Sequence, residues 1–122
     1  MTSVGPILAV PGIRHALCKT SAPVVAVSPI IGNAAVSGPA AALMTAQGLD
    51  ASIKGVAAAY GDFLDLLVAH DSDSACAQVL SSDKLQVHCT NILMRTLEDR
   101  TRIAQTVLEL VSSGVVSVAE AK

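Results

Sequence analysis

Aromatic residues are nearly absent from this chain: one Tyr, one Phe and no Trp in 122 residues. Any core must therefore be built from Ala, Val, Leu and Ile, and the hydrophobic fraction of 52% supplies them. Charge is scarce too, at 15% of residues, which together with that apolar content excludes a disordered or linker protein. Eight basic and ten acidic residues leave a net charge of −2, and the bases (Arg14, Lys19, Lys54, Lys84, Arg95, Arg100, Arg102 and the last residue, Lys122) form no stripe. Without a basic face or stacking rings, no nucleic-acid partner is expected. Cysteines 18, 76 and 89 are odd in number and lack a Cys-x-x-Cys pair, so neither a disulfide framework nor a zinc knuckle is indicated. His15 and Cys18 would share a helix face, whereas adjacent His88 and Cys89 would point to opposite faces of a strand; a zinc site needs three or four converging ligands.

One uncharged stretch is long. Thr20–Leu49 runs thirty residues without Asp, Glu, Lys or Arg, but Pro23, Pro29 and Pro39 interrupt it, with Gly32 and Gly38 between them. A spanning helix must satisfy its own backbone, which three prolines prevent, so no membrane partner is expected. No basic residue precedes Arg14, so no secretory signal is read, and a cytoplasmic location is the expectation.

Residues 1–122 read as a single α/β domain of a size suited to one core. Ile13–Leu17 reads as a helical turn entered through Pro11-Gly12. Val24–Val27 is a continuous aliphatic run, as expected of a strand buried on both faces. Ala40–Met44 is helix-forming, and Gly48 is placed to end it. Ser52 can cap a helix over Ile53–Tyr60. A strand over Leu64–Val68, a short helix over Asp71–Leu80 and a strand over Leu85–Cys89 follow. Thr96-Leu97-Glu98-Asp99 has capping-box spacing, opening a helix whose apolar stripe is Leu97, Ala104, Leu108 and Val111, joined by Ile103 and Val107, with Gly114 as its stop. The final eight residues are expected to fray. Alternating strands and helices predict a mainly parallel sheet covered on both faces, a Rossmann-like three-layer architecture.

The segment that stands out is Ser28-Pro29-Ile30-Ile31-Gly32-Asn33, directly after the Val24–Val27 strand. Ligands in open α/β sheets sit beyond the carboxyl ends of strands, and a loop there can form an anion nest. Pro29 has no N–H, so the donors would be the amides of Ile30, Ile31, Gly32 and Asn33, with the Ser28 hydroxyl adding a bond to a phosphate oxygen. Gly32 and Asn33 both tolerate the positive φ such a nest needs. The plainer alternative is that Ser-Pro and Gly-Asn only turn the chain. No P-loop lysine and no Gly-x-Gly-x-x-Gly fingerprint accompany the segment. Asp62, Asp65, Asp71 and Asp73 bracket the second strand and could meet a cation, although Asp in such places more often caps helices or faces water. Glu98, Asp99, Arg100 and Arg102 read as a solvated helix face, and no Ser-His-Asp or Cys-His arrangement emerges.

Val24-Val25-Ala26-Val27-Ser28-Pro29-Ile30-Ile31-Gly32, with Val36-Ser37-Gly38-Pro39-Ala40, resembles the 2-phospho-L-lactate transferase family of coenzyme F-420 biosynthesis. The resemblance continues through Gly5–Arg14, Tyr60-Gly61-Asp62 with Asp65, and Leu93-Met94-Arg95-Thr96 with Asp99-Arg100. It implies transfer of a phospholactyl or phosphoenolpyruvyl group from a guanosine diphosphate conjugate to the deazaflavin FO, with release of GMP and help from magnesium. By the same resemblance Ser28–Asn33 would cradle the phosphates or guanosine end of the donor. Family members commonly carry a second Gly where Asn33 stands, a Lys at Ala34 and an Asp at Asn91. The family's nucleotide-holding strand–loop–helix, its magnesium-binding Asp and its deazaflavin contacts lie in an earlier half, so the chain resembles the C-terminal half of a larger fold. Its partners would then be that N-terminal half or further copies of itself, and alone it would be inactive. The competing expectation is a non-catalytic nucleotide- or anion-binding or protein-interaction module derived from that fold.

Overall fold

The computed structural model describes residues 4–35 and 38–113. Two short helices, α1 (Val4–Leu8) and α2 (Ile13–Lys19), lead into β1 (Val25–Val27). A small hairpin follows, β2 (Ile30–Ile31) and β3 (Ala34–Ala35), then α3 (Ala40–Ala46) and α4 (Ile53–Tyr60). Next come β4 (Leu66–His70), a single 3-10 turn over Asp71–Asp73, α5 (Ser74–Leu80), β5 (Gln86–Thr90) and α6 (Leu97–Ser112). The main sheet has the order β1-β4-β5 and is parallel throughout, with Val25 opposite Leu66 and Leu66 opposite Gln86. The α/β Rossmann-like expectation is met.

Strand β4 explains the three layers. Its side chains alternate faces, and both faces are covered, so Leu66, Leu67, Val68 and Ala69 are all fully buried. Leu67 and Ala69 join Met44, Ile53, Val56 and Ala77 from α3, α4 and α5. Leu66 and Val68 face the other way and pack with Ile92 and Ile103 under α6. Ser52 caps α4, its hydroxyl accepting the Lys54 N–H at 3.2 Å. Inside α4, Gly55 is required by close approach: a Cβ there would overlap the carbonyl oxygen of Asp50 and crowd the Met44 methyl at 2.9 Å.

Several expectations need correction. The second strand runs Leu66–His70 rather than Leu64–Val68, because Asp65 is spent pinning β1: its carboxylate accepts the Val24 N–H at 2.8 Å. The Asp71–Leu80 helix is a 3-10 turn joined to a shorter helix, since His70 Nδ1 accepts the Ser72 N–H and closes the turn. On α6 the capping box forms as expected, with Thr96 Oγ1 accepting from Asp99 N–H and the Asp99 carboxylate accepting from Thr96 N–H. Of the expected stripe, Ile103 and Val107 do face the core, joined by Leu110, while Leu97 is 75% and Leu108 65% exposed. Arg102 sets this rotation by donating to the carbonyls of Asn91 and Leu93 at 3.1 and 3.3 Å, so it is not simply a solvated charge. Gly114 and the final eight residues lie outside the described residues. Among the described residues no helix is long and apolar enough to cross a membrane.

Candidate functional site

The loop after β1 starts at Ser28, whose N–H continues the sheet by donating to the Val68 carbonyl at 2.8 Å. The Ser28 side chain is buried, 2% exposed, and turns inward. Its hydroxyl donates to the Ile30 carbonyl at 2.9 Å and accepts the Ile30 N–H at 3.1 Å. Ile30 is itself fully buried. Ile30 and Ile31 stand opposite Ala35 and Ala34, so Gly32 and Asn33 form the two-residue turn of an antiparallel hairpin. Glycine at the first central position with φ +62° matches the geometry such turns demand. Asn33 does not share the positive φ.

The five residues singled out in this loop therefore divide. Ser28 and Ile30 satisfy one another and shape the turn, Ile31 lies in the hairpin ladder, and Gly32 and Asn33 form its exposed tip. The Gly32 N–H already meets an anion, the Asp73 carboxylate, at 3.2 and 3.1 Å to its two oxygens. Asp73 sits at the N-terminal boundary of α5 yet makes no side-chain cap there; its carboxylate is turned to the hairpin instead. A cleft of about 330 Å³ opens beside this contact, lined by Gly32, Asn33, Asp50, Ser52, Lys54 and Asp73. One ammonium and two carboxylates face it. Just behind, burial first, and then the charges of Asp71 and Asp73, push the Cys89 thiol above its ordinary value.

The four aspartates do not converge. Asp62 is paired with Arg14, Asp65 holds the Val24 amide, Asp73 holds the Gly32 amide and Asp71 is exposed. Among the described residues no three His, Cys, Asp or Glu side chains gather into a group that could hold a metal ion by themselves.

A second constellation was not legible as a site from spacing. The Arg14 guanidinium donates to Asp62 Oδ1 at 2.6 Å and to the Ala59 carbonyl, and lies 5.3 Å from the Phe63 ring centroid. Cys18 Sγ approaches the Asp62 backbone and carboxylate at 3.5 and 3.7 Å. The hydrogen bond from Arg14 holds the Asp62 carboxyl below the usual range. Tyr60, tilted against Phe63 at 5.7 Å, keeps a buried hydroxyl without a hydrogen-bond partner among the described residues, and burial raises its pKa against the opposing charge of Arg14. The only advance signal was that Pro11–Arg14 and Tyr60–Asp62 both belong to the resembling segments; the fold brings them together across 48 positions.

The family pattern described as 2-phospho-L-lactate transferase CofD matches residues 1–110, spanning both constellations. The 2-phospho-L-lactate transferase of Methanocaldococcus jannaschii is 43% identical over 113 residues, covering 93% of this chain and 35% of the relative. That of Methanococcoides burtonii is 44% identical over 110 residues, covering 90% and 35%. The chain thus spans about a third of the length of the curated relatives it matches. With the parallel sheet, the loop after β1 and the clasped N-terminal helices all inside the matched region, this chain belongs to the 2-phospho-L-lactate transferase CofD family.

Proposed function

We propose that this chain contributes the C-terminal part of a transferase that moves a phospholactyl or phosphoenolpyruvyl group from a guanosine diphosphate conjugate to the deazaflavin FO, releasing GMP. The observation that carries this reading is the family match across residues 1–110. In such a transfer the protein acts chiefly by positioning the phosphates and balancing the charge that develops on them. The part assigned to this chain is the tip of the β2–β3 hairpin. Gly32 and Asn33 form its exposed tip, Ser28 and Ile30 bond to one another at its base, and the Asp73 carboxylate on the Gly32 N–H stands where a donor phosphate would dock. Phosphate entry requires that carboxylate to swing away, with Lys54 on the cleft wall as the available cation. Magnesium, if used, draws its ligands from residues beyond those described, and the chain alone does not turn over.

The test is co-production with the remaining portion of the Methanocaldococcus jannaschii enzyme, followed by assay of GMP release from the guanosine diphosphate conjugate and FO. Release by the pair and not by either piece supports the reading. A pair that forms yet releases no GMP favours a non-catalytic binding module. The Asp50 and Asp73 carboxylates at the cleft are what give that second reading its footing.

A further inference from the structure

We infer that His70 is a proton switch for the β2–β3 hairpin: protonation of its ring uncaps the Asp71–Asp73 turn and releases Gly32 from the Asp73 carboxylate. The switch is built from this chain's own contacts; only its consequence for a donor phosphate rests on the transferase reading.

His70 ends β4 at the carboxyl edge of the sheet, opposite Thr90 of β5. Its Nδ1 accepts the Ser72 N–H at 3.2 Å and lies 2.9 Å from the Ser72 hydroxyl. The ring thereby caps the 3-10 turn, which the Ser74 N–H closes on the Asp71 carbonyl. A backbone N–H can only donate, so Nδ1 must present its lone pair and the ring must be neutral, with its proton on Nε2. A protonated Nδ1 can still meet the Ser72 hydroxyl, which accepts as well as donates, but it sets its own N–H against the Ser72 N–H. The cap is then lost.

The turn matters because of what it carries. Asp73, its last residue, makes no side-chain cap for α5 and holds the Gly32 N–H through both oxygens, at 3.2 and 3.1 Å, across 41 positions. A short path therefore joins a titratable ring to the exposed hairpin tip: Nδ1, the Ser72 N–H, the Asp73 carboxylate and the Gly32 N–H. The other titratable and charged groups around the turn are Asp71 on the turn itself, Cys76 on α5, His88 and Cys89 on β5, and Asp50 and Lys54 beside Asp73 at the cleft. Imidazole is the side chain whose ordinary change of charge falls between about pH 5 and 8, so His88 is the rival to exclude. In the transferase reading a donor phosphate docks where the Asp73 carboxylate stands, and mild acid would vacate that place.

The experiment is NMR on the full 122-residue chain between about pH 8 and pH 5.5, following the His70 ring nitrogens and the exchange protection of the Ser72 and Gly32 amides, corrected for intrinsic rates. At the upper pH the ring is expected as the Nε2–H tautomer. On acidification both protections should fall together, roughly fivefold as loss of one hydrogen bond implies, with the midpoint of the His70 ring. His70→Asn keeps an acceptor two residues before the Ser72 N–H that takes up no proton, and should hold both protections constant. Asp73→Ala should remove the Gly32 protection at the upper pH and leave that of Ser72, while His88→Gln should behave like the parent. An Nδ1–H tautomer at the upper pH, a fall that persists in His70→Asn or vanishes in His88→Gln, or steady Gly32 protection while the ring titrates would overturn the inference. Where His70→Asn does not fold, the parent decides: coincident ring and Gly32 midpoints support the switch, and separate midpoints overturn it. A working switch in a chain whose assembled pair releases no GMP would leave this inference standing and remove the transferase reading.

Discussion

Strands β1 and β4 are written in nearly the same alphabet, Val-Ala-Val against Leu-Leu-Val-Ala, yet they live in different surroundings. Every residue of Leu66–Ala69 is fully buried between α4, α5 and α6, whereas Val25–Val27 are half-buried beside open clefts. A continuous aliphatic run states that a strand is meant for burial on both faces. It does not state whether this polypeptide supplies the cover. The centre of the sheet is completed within the chain, and the β1 side is tied down by longer-range polar contacts, Asp65 to Val24 and Arg14 to Asp62.

The sharpest way to break that comparison is Leu67→Ala against Val25→Ala. Removing a fully buried Leu leaves a cavity, so denaturant titration should show a loss of about 3 kcal/mol. The same truncation at half-buried Val25 should cost about 1 kcal/mol or less. Equal losses would mean that β1 is covered as completely as β4. Next is Gly55→Ala, which a helix-propensity argument expects to stabilise α4 by up to about 1 kcal/mol. Because the new methyl would meet the Asp50 carbonyl, a loss of about 2 kcal/mol is expected instead, read as a lower melting temperature. Thr96→Ala tests the cover on the opposite face: losing the side-chain half of the capping box should cost about 1 kcal/mol in thermal unfolding.

The smallest effect is expected at the Arg14–Asp62 pair, whose side chains are 43% and 45% exposed, so its contribution lies within about 1 kcal/mol and shrinks with salt. Its sign is set by the lowered carboxyl. Asp62 binds its proton less readily folded than unfolded, so the pair's contribution is present above the ordinary value of 3.8 and is lost as pH falls through the lower native value. Amide exchange below pH 4 should therefore loosen α2 before β4, and Asp62→Asn should loosen α2 already at neutral pH and remove this acid dependence, without changing exchange in β4.

Much of the architecture was readable from local rules. The Ser52 cap and the span of α4, the Thr96 capping box, the continuous runs of β1 and β4 and the glycine end of α3 all depend on residues within a few positions of each other. The misplacements come from contacts of long sequence separation. Strand β4 starts two residues late because Asp65 reaches back 41 positions to Val24. The expected stripe of α6 is centred on Leu97, Ala104, Leu108 and Val111, and only its flank of Ile103 and Val107 reaches the core, because a stripe of period 3.6 can be drawn on more than one side of a helix; Arg102, bonded to Asn91 and Leu93, lies on the side that packs. At the loop after β1, the turn chemistry of Gly32-Asn33 was visible, but the inward turn of Ser28 and the carboxylate of Asp73 on Gly32 were not.

By itself, then, the sequence determined the class of fold, the caps, the aliphatic core and the family, because propensity, periodicity and motif order are properties of neighbouring residues. Only the tertiary structure decided which strand is enclosed and which stands at an edge, that the Gly32 amide at the hairpin tip is held by Asp73, and that Arg14 and Asp62 meet. Those outcomes depend on distances between segments some forty to fifty positions apart, which no local pattern encodes.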